Sequence, residues 1–154
     1  MSGKPEVVET LLKVSVMETN AHGKYGRTAL LAVVENGAQS AMKMLKLLIQ
    51  AGADLDAQDE DGDTALHMAS RQGSFDMVKL LVNKKAAINI PNVEGETALD
   101  RALHGSHSEI VLYLFRHGAI CQPDNSGFTE IHEAIIGSCD VEIIALLISK
   151  GVDV

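Results

Sequence analysis

At 154 residues the chain is one domain's worth of sequence, 46% hydrophobic but only 3% aromatic and without Trp, so aliphatic side chains must build its core. Its 13 Lys and Arg stand against 21 Asp and Glu, a net charge of −8; nucleic acid is a poor partner for such a surface, because phosphate contacts need a basic stripe. No run of about 18 apolar residues is available to span a membrane, and Lys4, Glu6, Glu9 and Lys13 interrupt any apolar signal segment.

From the N-terminus, VVETLLKVSVMETNA from Val7 places Leu11/Leu12 in a first apolar pair. A phrase then occurs four times: GRTALLAVV from Gly26, GDTALHMAS from Gly62, GETALDRAL from Gly95 and GFTEIHEAI from Gly127. A second phrase answers each copy, with apolar pairs at Leu47/Leu48, Leu80/Leu81, Tyr113/Leu114 and Leu146/Leu147, each 33 positions after the last. In the Gly62 copy, Asp59-Glu60-Asp61-Gly62 reads as a turn closed by a glycine at positive φ. Thr64 is placed to N-cap a short helix whose Leu66 and Ala69 share one face. Gly73 and Ser74 break that helix, and Met77, Val78, Leu80 and Leu81 mark a second one ending near Asn83-Lys84-Lys85. Leu30/Val33, Leu99/Ala102 and Ile131/Ala134 repeat the first-helix pattern, and the small Ala69, Ala102 and Ala134 predict close approach of neighbouring first helices. From Thr28 to Leu47 is 19 positions, against 16 from Thr64 to Leu80; the surplus lies around Ala38-Gln39-Ser40-Ala41, as a tolerated insertion or a contact loop. Helices this short are marginal alone, so the apolar faces must be covered by stacking.

A fixed period of 33 means an array of stacked units. The phrases resemble the ankyrin repeat, roughly D-x-x-G-x-T-P-L-H-x-A followed by a second helix and G-A-D. Ala29, Ala65, Ala98 and Glu130 replace the Pro; the His is kept at His67 and His132 and replaced by Leu31 and Asp100. The Gly of the G-A-D loop is kept at Gly52, Gly118 and Gly151, lost at Lys85, and replaced by Val16 in the N-terminal fragment, whose helix is therefore expected to end differently. The resemblance implies an all-α solenoid of stacked helix-turn-helix units with β-turn or hairpin fingers. It forms a single domain over 1–154, with a partial repeat at about 5–22 and repeats at about 23–58, 59–91, 92–123 and 124–154. It further implies that the His ring bridges the N-cap region to the neighbouring loop; Leu31 cannot do this, and Asp100 is placed to return a capping-box bond instead.

Chemical motifs fail inspection. His132-Glu133 lacks the second His of H-E-x-x-H, since Ile136 stands there. His104 and His107 are separated by a helix break at Gly105-Ser106. A calcium loop centred on Gly62 would begin at Ala57 and end at Met68, neither an anionic ligand. Cys121 and Cys139 are too few for a disulfide framework, read as inert thiols, and fit a reducing, intracellular setting, cytoplasmic or nuclear. No cofactor, no metal and no catalytic constellation is expected: the chain reads as a non-enzyme.

By resemblance, turn tips and first helices line a concave face that holds a protein partner. The residues this selects are Tyr25, Arg27, Glu60, Asp63, Arg71, Val93, Glu96, His104, Phe128 and Ile136, with Tyr25 and Phe128 as the first-choice anchors because aromatics dominate interface hot spots. The first tip is basic, with Lys24, Arg27 and nearby His22, and the second and third are acidic, which is either a solubilising surface or a match for a partner with a basic segment. Two functions stand: a non-catalytic scaffold, adaptor or inhibitor, or a targeting segment of a larger enzyme or channel. The bare apolar residues Ile143, Ile144, Leu146 and Leu147 before Val154 lead to the expectation of a fragment, or of association at that end. Asn20 and Asn89 match the family's loop Asn, a residue that asparaginyl hydroxylases sometimes modify; a structural role in the turn is the competing account.

Overall fold

Thr28, Thr64 and Thr97 each hold an extended conformation immediately before a helix, the geometry an N-cap requires. In the computed structural model, which describes residues 19–37 and 41–120, they open α1 (Ala29–Asn36), α3 (Ala65–Arg71) and α5 (Ala98–His104). The second helix of each pair is α2 (Ala41–Gln50), α4 (Phe75–Asn83) and α6 (Ser108–Arg116). Among the described residues the expected helix pairs of the first three full repeats are present. Among the described residues no strand forms, so the fingers are tight turns without a strand pair, Lys24–Gly26 forming a single 3-10 turn at the first.

The caps differ in chemistry but not in place. The Thr28 hydroxyl accepts from the Leu31 amide at 3.4 Å. At Thr64 the His67 ring returns the bond, with Nδ1 accepting from the Thr64 amide at 3.1 Å. At Thr97 a carboxylate does so: the Thr97 amide and hydroxyl both donate to Asp100 Oδ2, at 2.6 and 2.8 Å. The sequence reading of Asp100 as a capping-box residue holds.

Helix ends recur at the same 33-residue spacing. Gly52, Lys85 and Gly118 all sit at positive φ, and the amides of Ala53, Ala86 and Ala119 reach back to the carbonyls of Leu48, Leu81 and Leu114, the bond that closes a helix through a left-handed residue. Lys85 adopts φ 72 with a Cβ attached, a strain of about 1–2 kcal/mol that its glycine counterparts avoid.

Packing follows the pairs. α1, α3 and α5 lie side by side, each covered by its own partner α2, α4 or α6, and α4 also meets α6. Leu30, Leu31, Leu66, Ala69, Leu99 and Ala102 are buried between the first helices. Of each apolar pair in the second helices, only Leu48, Leu81 and Leu114 enter the core; Leu47, Leu80 and Tyr113 are half-buried on the outer side. Removing this apolar area from water, at about 25 cal/mol per Å², stabilises helices too short to persist alone. Tyr113 packs edge-on against Phe75 at 5.4 Å between centroids, tying α4 to α6 on that outer side. The surplus residues of the first unit fall between α1 and α2, though Ala41 belongs to α2; 38–40 lie outside the described residues. So do the N-terminal partial repeat through Val16, and Phe128, His132, Ile136, Cys121, Cys139 and the segment expected to form the last helix pair.

Candidate functional site

Each finger is built the same way. The amides of Gly23, Asp59 and Asn92 bond the carbonyls of Arg27, Asp63 and Glu96, at 2.8, 3.2 and 2.8 Å. Asp59 Oδ1 accepts from the amides of Asp61 and Asp63, and Asn92 Oδ1 accepts from those of Glu94 and Glu96. These side chains fold the turn, and they stand 33 residues apart, a register signal that the sequence reading did not use for Asn92.

The fingers then bond to each other. The Glu60 amide donates to the Tyr25 carbonyl at 3.2 Å, and the Val93 amide donates to the Asp61 carbonyl at 3.0 Å. The three tips thus form one continuous row. Tyr25 is 55% exposed and Val93 71% exposed on it, with Glu60 and Asp61 exposed between them. Tyr25 does not bury itself locally; its ring meets the Lys24 ammonium 4.9 Å away, and its backbone is held at φ 63.

The expected tip residues divide into two sets. Those before the glycine point to solvent. The residue after it turns inward beside the capping Thr, because the positive-φ glycine reverses the chain. Asp63, expected in a solvated tip, is 4% exposed. It accepts from Asn92 Nδ2 at 2.9 Å and lies 3.5 Å from Arg101 and 3.8 Å from Arg71. Glu96 is half-buried, 3.0 Å from Arg101 and 3.4 Å from His104. Arg27 pairs with Glu35, which holds its guanidinium above the ordinary range. Asp63 and Glu96 are therefore corrected from contact residues to supports of the row; Glu60, Arg71, Val93 and His104 remain exposed. Arg101, which joins Asp63, Glu94 and Glu96, was missed: it stands one period after Met68, at the unspecified x of T-P-L-H-x-A, so the pattern gives it no role.

Two histidines staple neighbouring units. The His67 ring is 1% exposed, and its Nε2 donates to the Glu96 carbonyl at 3.1 Å while Nδ1 accepts from Thr64. That is the bridge the resemblance implied. His107, not anticipated, fits its ring into the space left by Gly73 and Gly105 and bonds the Arg71 carbonyl at 3.1 Å. Asn20, Asp56 and Asn89 link successive loops by accepting from the amides of Asp54, Ala87 and Ile120, so Asn20 and Asn89 do hold the structural role.

Burial lowers the His67 pKa from 6.5, against a smaller opposing effect of the Glu96 carbonyl bond. A depressed His pKa means that the unfolded chain takes up a proton first. This contribution to stability is thus present above pH 6.5 and is lost as pH drops from there toward the lower native value. Urea unfolding is expected to show lower stability at about pH 5 than at about pH 7, with a smaller fall in His67→Gln; an equal fall in the variant would assign the proton elsewhere.

Among the described residues no His, Cys, Asp or Glu group is arranged to hold a metal, and no helix is long and apolar enough to cross a membrane. A groove of about 530 Å³ opens beside Met42, Phe75, Met77 and Glu109, at the end of the helix pairs away from the tips. The family model described as Ankyrin repeats (3 copies) matches residues 1–92, 38–123 and 86–154.

Proposed function

The chain belongs to the ankyrin-repeat family, and from that premise we propose that it is a non-catalytic module holding a protein segment against the row of turn tips and the adjoining ends of α1, α3 and α5, as a scaffold, adaptor or inhibitor. Repeats of this family are general protein–protein interaction modules and are typically non-catalytic. The observation that carries the finer reading is the exposed pair Tyr25 and Val93 on tips that backbone hydrogen bonds join into one row. An aromatic at positive φ costs about 1–2 kcal/mol, and strain of this kind collects at functional positions. Tyr25 nevertheless stays 55% exposed.

In pull-downs from the source cell, a partner captured by the parent protein and by the outer-side control Asn83→Ala is expected to be lost with Tyr25→Ala or Phe128→Ala. The affinity loss should be at least about tenfold, with the helical circular dichroism unchanged. Equal capture by all four proteins would remove the site assignment.

A further inference from the structure

Resting on that reading, we propose that the row of tips accepts an extended protein segment in which Lys or Arg side chains lie between two apolar residues. The order along the row is Tyr25, then Glu60 and Asp61, then Val93. The arginines on this face are already engaged: Arg27 with Glu35, Arg71 with Asp63, and Arg101 with Asp63, Glu94 and Glu96. No described residue forms an ion pair with the carboxylates of Glu60 or Asp61, and both are exposed. Among the described residues the centre of the row therefore presents two exposed carboxylates without an ion-pair partner, offset only by the field of Arg27 and with Lys24 beside Tyr25, between two apolar points. An acidic segment is repelled there, and the net charge of −8 opposes a second copy of this chain.

Geometry sets the spacing. Neighbouring packed helices lie about 8–10 Å apart, so Tyr25 and Val93, two units apart, are separated by roughly 16–20 Å. An extended chain advances about 3.3–3.6 Å per residue, which puts the two apolar side chains of the segment about five or six residues apart. Exposed charge pairs of this kind govern association rate and partner choice, while the apolar ends supply the residence time.

The test uses fluorescein-labelled peptides with two leucines about six residues apart, carrying lysines, serines or glutamates between them, followed by fluorescence anisotropy at physiological salt. The lysine peptide is expected to bind at least about tenfold more tightly than the serine peptide, and to lose about that factor with Glu60→Gln/Asp61→Asn. The control Asp76→Asn/Glu109→Gln changes net charge equally at the far end of the helix pairs. Those charges lie beyond the screening distance of about 8 Å, so affinity should be unchanged. Equal weakening by the control would reduce the effect to net charge and overturn the proposal. If lysine and serine peptides bind alike and both depend on Tyr25, the basic-partner inference fails while the binding face stands. If no peptide responds to Tyr25→Ala or to the tip charges, both fail.

Discussion

Gly62→Ala is expected to be the most damaging single-methyl change among the fingers, lowering stability by about 3 kcal/mol. Gly62 sits at φ 76, and a Cβ there would lie 2.8 Å from the Val93 amide nitrogen and 3.0 Å from the Asn92 Cα. The left-handed backbone costs about 1–2 kcal/mol for an L-residue, and overpacking against atoms that cannot rotate away adds about 1–3. Reduced freedom of the unfolded chain returns less than about 1 kcal/mol. Those backbone atoms also carry the Val93–Asp61 bond that joins the second tip to the third, so the exposed row should be disturbed together with the fold. Gly52→Ala supplies the comparison: its φ is 82, yet nothing lies within 4 Å of the added atom. It should cost about 1 kcal/mol, and Lys85 shows that the equivalent position accepts a Cβ. Urea midpoints of the two variants measure the difference, and similar midpoints would show that the finger contact is soft.

Arg101→Ala is expected to lower stability by about 3 kcal/mol through the charge it leaves behind. The Arg101 side chain is 18% exposed and lies within 3.0–3.5 Å of Asp63, Glu94 and Glu96. Its removal strands Asp63, buried and already turned away from water, beside Glu96 with only Asn92 and the more distant Arg71 in compensation. Breaking one side of a buried ion pair is far costlier than the pair's net worth. Asp63→Asn should therefore be milder, and Asp63→Asn combined with Arg101→Ala should recover at least about 1 kcal/mol relative to the sum of the singles. Arg101→Lys should restore little, because an ammonium cannot present the planar fork that spans several carboxylates. Strict additivity in the double variant would mean that the two side chains do not act together.

The helix pairs were legible because their signals are local. Leu66 and Ala69 share a face by helical spacing, Thr64 precedes an apolar run, and Gly73 marks a break, all within a dozen residues. Asp100 could be read as a cap because its partner is three residues away. His67 was placed through the resemblance, since its second partner, Glu96, is 29 residues distant. The tips themselves were legible from the turn signal, and Tyr25 and Val93 lie exposed on them. Asp63 and Glu96 were misplaced for a specific reason: the turn signal locates the glycine but does not say which way the next side chain leaves it. Asp63 turns inward toward Asn92 and Arg101, residues 29 and 38 positions away.

The amino-acid order alone determined the period, the succession of capped short helices and the apolar stripe each must hide, since capping and helical periodicity act over three or four residues. Stacking decided the rest. Only when one finger lies against the next do the Val93 and Asp61 backbones meet, does His107 find the space above Gly73, and does Arg101 reach three carboxylates from two units. Val93 and Asp61, His107 and Gly73, and Arg101 and Asp63 stand about a full repeat apart, and their contacts have no expression in an isolated unit, because the surfaces that bring them together do not exist until neighbouring units pack.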